Sequence, residues 1–208
     1  MFTGLVRYRA TLLRHETRGR AGSLLLSLSR PPEWQDVRVG DSIAVNGCCL
    51  TVIGLCEDSF DFEAGSETLA RTLLADLSLG QRVHIEQALC VGDRLDGHMV
   101  TGHVDGLAEV IEVIDVKGGR RIRFGVEPRL ACLLPEKGSV CVDGISLTIA
   151  ADELNGFTVE LIPETLEATE LSDLATGDSV HVEVDPIARY AAHWLDKTKA
   201  IDRQGGRI

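Results

Sequence analysis

The sequence predicts an all-β fold: two tandem six-stranded Greek-key barrels related by internal duplication, plus a C-terminal helix. Three observations carry the prediction. The chain repeats itself at the spacing of one small domain, each half is a series of short strand-like runs, and a helical pattern lies outside the repeat near the C-terminus.

At a shift of 97 positions, VNGCCLTV (45–52) falls on VDGISLTI (142–149). SETLART (66–72) falls on PETLEAT (163–169), and DLSLGQRVHIE (76–86) on DLATGDSVHVE (173–183). Between Val45 and Glu86, 17 of 42 positions are identical, where shared composition would give about two or three. A shift of 98 also lays MFTG (1–4) on MVTG (99–102). A period this long exceeds a solenoid unit and describes whole domains, expected at 1–97 and 98–187. A duplicated domain keeps its binding pocket twice, so paired sites are expected.

Strand-like runs fill each half. In the first, 23–29, 42–47, 49–55, 59–64 and 82–89 are short, apolar and bounded by Gly, Asp or Ser. Their counterparts are 121–127, 139–144, 146–153, 157–162 and 179–185. SFDFEA, RVHIE and SVHVEVD alternate, as strands with one wet face do. Many short strands in fewer than 100 residues favour a closed barrel, since closure removes exposed edges. The segments 67–77 and 164–174 read as short helical or turn pieces, with Leu69, Thr72, Leu73 and Leu77 on one apolar face. Past the second repeat, a helix is expected at 188–201, with a disordered tail at 202–208. Ile187, Tyr190, Ala191, Trp194 and Leu195 share one stripe, which serves either packing on its own domain or assembly.

Composition narrows the function. The formal net charge is −11, which repels phosphate backbones and anionic membranes, so neither nucleic acid nor membrane is expected as a partner. No apolar run is long enough to span a bilayer, and Arg7 and Arg9 interrupt the place of a signal peptide, so a cytoplasmic location is expected. The six cysteines read as reduced thiols buried as small hydrophobes, and no spacing suggests a metal cage. His84 and His181, matched in the two copies, read as residues of the wet barrel face, and His15 and His193 as solvated. Cys48 is expected to point opposite Cys49, into the core. No G-x-G-x-x-G follows a strand, which removes a flavin reductase with a nicotinamide domain.

The strings MFTG, NGCCLTV, GDRLDGHMVTGHVDG, DGISLT and IPETL, in this order and in two copies, resemble the riboflavin synthase family from Met1 to about Leu195. The resemblance implies a transferase that converts two molecules of 6,7-dimethyl-8-ribityllumazine into riboflavin and 5-amino-6-ribitylaminouracil, with no cofactor and no metal. It implies a homotrimer, whose active site lies between the N-terminal barrel of one subunit and the C-terminal barrel of a neighbour. Association with lumazine synthase is a further expectation.

By resemblance, Cys49, His103, Ser146 and Asp185 are the catalytic candidates. Ser146 and His103 would assist proton removal at the C7 methyl or handle water at C7, and Cys49 and Thr51 would serve the other ligand. Asn46, Gly47, Thr51, Asp143, Gly144 and Thr148 would form two matched cradles. Glu67, Thr68, Ile162, Glu164 and Thr165 would line the pockets, with Lys137 near the second, and His98, which opens the interdomain motif, would contact substrate. Phe2, Thr3 and Gly4 would close over the site from the adjacent subunit. The copies differ where chemistry needs them to: Cys49 against Ser146, Phe2 against Val100, Leu5 against His103. Two identical molecules would thereby meet different groups, one as donor and one as acceptor. The competing expectation is a non-enzymatic antenna or carrier that binds a single lumazine or flavin.

Overall fold

The computed structural model describes residues 1–18 and 22–203. The first half contains β1 (Tyr8–Arg18), β2 (Ser23–Ser29), β3 (Ser42–Val45), β4 (Cys48–Leu55), β5 (Ser59–Ala64), α1 (Ser66–Arg71) and β6 (Arg82–Gln87). The second contains β7 (Gly106–Val116), β8 (Gly119–Gly125), α2 (Pro128–Ala131), β9 (Ser139–Val142), β10 (Ile145–Glu153), β11 (Gly156–Leu161), α3 (Pro163–Ala168), a 3-10 turn (Glu170–Asp173) and β12 (Ser179–Val184). The last helix, α4, is Pro186–Arg203. No helix among the described residues is long and apolar enough to cross a membrane.

Each half closes into a six-stranded antiparallel barrel. The orders are β1-β2-β5-β4-β3-β6 and β10-β11-β8-β7-β12-β9. Started from β7, the second order becomes β7-β8-β11-β10-β9-β12, the same Greek-key path. Ladder irregularities recur too, at Leu12/Arg14 and Val110/Glu112, and at Val52/Gly54 and Ile149/Ala151. Each barrel encloses its own core, built around Phe60, Phe62 and Trp34 in the first and Phe124 and Phe157 in the second.

The two barrels meet along a pseudo-twofold seam made by the β3–β4 and β9–β10 hairpins. Asn46-Gly47 and Asp143-Gly144 form the two-residue turns, all four with positive φ (44°, 77°, 45° and 86°), as a type I′ hairpin requires. The tips touch: a Cβ on Gly47 would lie 2.7 Å from Gly144 N, and one on Gly144 2.8 Å from Gly47 N. Only glycine fits at either position.

His84 and His181 fasten this seam, which corrects the expectation that they lie on a wet face. Both are buried. His84 Nδ1–H donates to Asp143 O (2.9 Å), and Glu170 N–H donates to His84 Nε2 (2.8 Å). Conversely, His181 Nδ1–H donates to Asn46 O (2.7 Å), and Leu73 N–H donates to His181 Nε2 (2.7 Å). Each ring thus bridges from its own barrel to two backbone groups of the other. Accepting at Nε2 fixes the neutral, Nδ1-protonated tautomer. Arg9 and Arg82 add ion pairs across the seam to Glu170, both at 3.1 Å.

Asp143 stands where the first copy has Asn46, and both side chains do the same work. Asn46 Oδ1 accepts from His84 N–H (2.7 Å) and Asp143 Oδ1 from His181 N–H (2.8 Å). Burial pushes the Asp143 carboxyl up, against the opposing pull of His181 and His84. Its contribution to stability is therefore fully present below the unfolded carboxylate value of about 3.9 and is lost as pH rises through the folded value. At neutral pH the charge is a net burden. Asp143→Asn, which keeps the acceptor, is expected to stabilise the protein by about 1 kcal/mol at pH 7 and to give no gain near pH 3. Urea denaturation at both pH values checks this.

Three other expectations change. Cys48 and Cys141 are buried, but Cys56, Cys90 and Cys132 are exposed, because they fall at a hairpin turn, in the segment between the barrels and at the end of α2. All six are free thiols. The helix after β5 stops at Arg71, so the anticipated apolar face runs on into the turn: Leu69 packs on the core, and Thr72 and Leu77 are buried together with Leu74, which was not expected there. Finally, α4 begins at Pro186 and includes Asp202 and Arg203, while the rest of the anticipated tail (204–208) lies outside the described residues.

Candidate active site: two half-sites seated by crossing arms

The segments that precede β1 and β7 cross between the barrels. Phe2 and Val100 pair antiparallel on the pseudo-twofold axis, Phe2 N–H to Val100 O at 2.7 Å and Val100 N–H to Phe2 O at 3.1 Å. Past this crossing, Val6 packs on the core of the second barrel and Val104 on the core of the first.

Each arm then seats one candidate residue. Ser146 N–H donates to Gly4 O (2.8 Å), and Cys49 N–H donates to Gly102 O (2.9 Å). Gly4 and Gly102 have φ of +73° and +80°, and a Cβ on either would lie 2.7 Å from Ser146 Cβ or 2.5 Å from Cys49 Cβ. The backbone must pass this close, so glycine is required at both. Phe2 is fully buried in its own chain, with Thr3 and Gly4 beside it. Within one subunit these three residues form the crossing itself.

In the C-terminal half-site, Ser146 Oγ lies 2.6 Å from His98 Nδ1. His98 is buried, and its Nε2 has no hydrogen-bond partner among the described residues. Burial pulls its pKa below the ordinary histidine value, partly opposed by Asp185. A neutral imidazole bonded through Nδ1 to the half-buried Ser146 hydroxyl can take a proton by way of that hydroxyl, the more exposed member of the pair. Sequence reasoning gave this position beside Ser146 to His103, but His103 is exposed. The two histidines lie five positions apart, and only the path of the arm distinguishes them. Asp185, anticipated as catalytic, accepts from Ile187 N–H (2.8 Å) and caps α4.

In the N-terminal half-site, Cys49 is half-buried beside Phe2, Ala44, Val100 and Cys141. Cys48 points into the barrel core as expected, its thiol pushed up to about 12, mainly by burial. Thr51 and Thr148 are exposed, two residues beyond Cys49 and Ser146 on the same strand faces. Thr68 and Thr165 are half-buried at the starts of α1 and α3, and Glu164 and Ile162 are exposed. Glu67 pairs with Arg71 at 2.8 Å and Lys137 with Glu136 at 3.6 Å, both in the open. Asn46, Gly47, Asp143 and Gly144 lie at the inter-barrel seam, where Asn46 and Asp143 also line the smaller of two clefts. Neither cleft, of about 850 and 690 Å³, is lined by Cys49, Thr51, Ser146 or Thr148.

The lumazine binding domain family matches this chain twice, at residues 3–88 and 101–185. The chain is 38% identical to riboflavin synthase of Bacillus subtilis (strain 168) over 197 residues, covering 95% of this chain and 91% of the relative. The chain belongs to the riboflavin synthase family. A second family member, riboflavin synthase of Mycobacterium bovis, is 40% identical over 194 residues, covering 91% of this chain and 96% of its own length. The double-barrel fold also matches a crystal structure of LumP complexed with riboflavin, with a TM-score of 0.80 and 21% identity over 88% of this chain and 99% of that one.

Proposed function

We propose that the chain is a riboflavin synthase, moving a four-carbon unit between two molecules of 6,7-dimethyl-8-ribityllumazine to give riboflavin and 5-amino-6-ribitylaminouracil. One observation carries the reading: two half-sites share a backbone design and differ in chemistry, Cys49 in one and the Ser146–His98 pair in the other. Family membership agrees with it. Identical ligands bound at such sites take different roles. The C7 methyl of the lumazine is acidic because its anion delocalises into the ring, so neutral His98, acting with Ser146, is base enough to remove the proton. Cys49 serves the other ring. Holding two rings face to face supplies much of the acceleration, worth about 7–11 kcal/mol in favourable cases. One product gains the carbons the other loses, so no external oxidant enters.

A complete site needs the N-terminal half-site of one subunit against the C-terminal half-site of another, in a homotrimer. The uncovered face of α4 supports assembly over packing on its own barrel. Ile187, Tyr190 and Trp194 are 68, 73 and 63% exposed, while Arg189 on the same helix pairs with Asp105 at 2.7 Å. The helix is tethered to its barrel by a polar contact and leaves its apolar stripe free. Trp194→Glu is expected to dissociate the oligomer to monomers in light scattering and to abolish turnover.

Incubating the purified protein with the lumazine alone tests the function. Riboflavin and the pyrimidine should form in equal amounts, with two ligands bound per subunit at saturation. One ligand per subunit and no flavin formed would instead describe a carrier.

A further inference from the structure

Glu86 and Glu183 occupy matched places in β6 and β12, and neither belongs to the half-sites described above. Each carboxylate gathers three donors from the arm of its own barrel. Glu86 accepts from Thr3 N–H (2.7 Å), Thr3 Oγ1–H (2.7 Å) and Gly4 N–H (3.0 Å). Glu183, fully inside the protein, accepts from Thr101 N–H (2.8 Å), the Thr101 hydroxyl and Gly102 N–H (2.8 Å). The clamped glycines then present their carbonyls to the other barrel. Glu86 of the first barrel therefore reaches Ser146 of the second through Gly4, and Glu183 of the second reaches Cys49 of the first through Gly102.

We propose that Glu86 and Glu183 are positioning residues acting crosswise, each fixing the reactive side chain of the opposite barrel. An ionised carboxylate is an acceptor only, and its two oxygens satisfy the three convergent donors of a Thr-Gly arm. Both arms pass through one crossing at Phe2 and Val100, so the two half-sites are built from reciprocal parts rather than each from its own barrel. For the reaction proposed above, on which this role rests, the arrangement fixes both half-sites of a subunit before each meets the half-site of a neighbour.

Glu→Gln replaces one acceptor oxygen with an NH2 that faces an arm N–H, loosening the clamp while keeping its shape. Iodoacetamide labelling, read residue by residue by mass spectrometry, measures the result without any turnover. In Glu183→Gln, Cys49 should label about tenfold faster, whereas in Glu86→Gln its rate should not change. In a Ser146→Cys background, the introduced thiol should respond to Glu86→Gln and not to Glu183→Gln. The milder Thr101→Val, which removes the hydroxyl bond to Glu183, and Thr3→Val, which removes the hydroxyl bond to Glu86 and the acceptor of Leu5 N–H, should give the same crossed pattern at smaller size. Turnover should fall by about tenfold to a hundredfold in either Gln variant, with KM for the lumazine within about twofold. Labelling changes confined to the barrel that carries the substitution, or equal at both positions, or absent, would overturn the proposal. Because labelling needs no catalysis, a wild-type protein that forms no riboflavin would defeat the functional reading and leave this test intact.

Discussion

His181→Phe is expected to lower the unfolding free energy by about 3 kcal/mol, and His84→Phe by a similar amount. Phenylalanine preserves the buried ring volume, so the loss isolates the hydrogen bonds. In His181→Phe the Leu73 N–H and Asn46 carbonyl lose their partner, and in His84→Phe the Glu170 N–H and Asp143 carbonyl do. A buried donor or acceptor left alone costs roughly 1–3 kcal/mol. Both rings sit beside the touching Gly47 and Gly144 turns, so the two substitutions should couple and not simply add. Urea denaturation checks this: the midpoint falls with little change in slope.

The same substitution carries a pH test. Burial pulls the folded-state pKa of His84 below the ordinary value, partly opposed by Asp143 and Glu170. Above the unfolded value of about 6.5 both states hold the ring neutral, and its contribution is fully present. As pH falls below that value the unfolded ring takes a proton that the folded one refuses, and stability drains until the folded value is reached. His84→Phe should flatten the stability profile below pH 6.5 by the share this ring supplies. An unchanged slope would mean that the ring does not stay neutral in the folded state.

The histidines also show where sequence reasoning stops. Val83, His84 and Ile85 are all buried, although alternation along β6 assigns His84 to water. Alternation reports one barrel at a time and is blind to a second barrel covering the outer face. The available signal was the duplication itself, since both copies keep the ring and both cover it. β1 and β7 went unread for a different reason: a bulge at Leu12/Arg14, and its twin at Val110/Glu112, breaks the period of two in strands already rich in charge. The barrels and the Cys49–Ser146 asymmetry were legible because duplication places them in register. Which arm serves which barrel was not, since a carbonyl bond from Gly4 to Ser146 leaves no trace in composition or periodicity. That His98 and not His103 lies against Ser146 follows from that same gap.

Ser146→Ala and His98→Ala should each slow riboflavin formation by about a hundredfold or more, the range of general acid–base assistance. The two groups share one hydrogen bond and act as a unit, so the double variant should be hardly slower than either alone. His103→Ala is the comparison that decides the assignment: its side chain is exposed and should cost less than loss of His98. Wild-type turnover should decline on an acid limb below about pH 6.5, because burial depresses the pKa of His98 and the ring loses its basicity only once protonated. In His98→Ala the residual rate should lose that limb. A larger loss in His103→Ala, or an acid limb that survives removal of His98, would return the proton-handling role to the exposed histidine and to a contact made only between subunits.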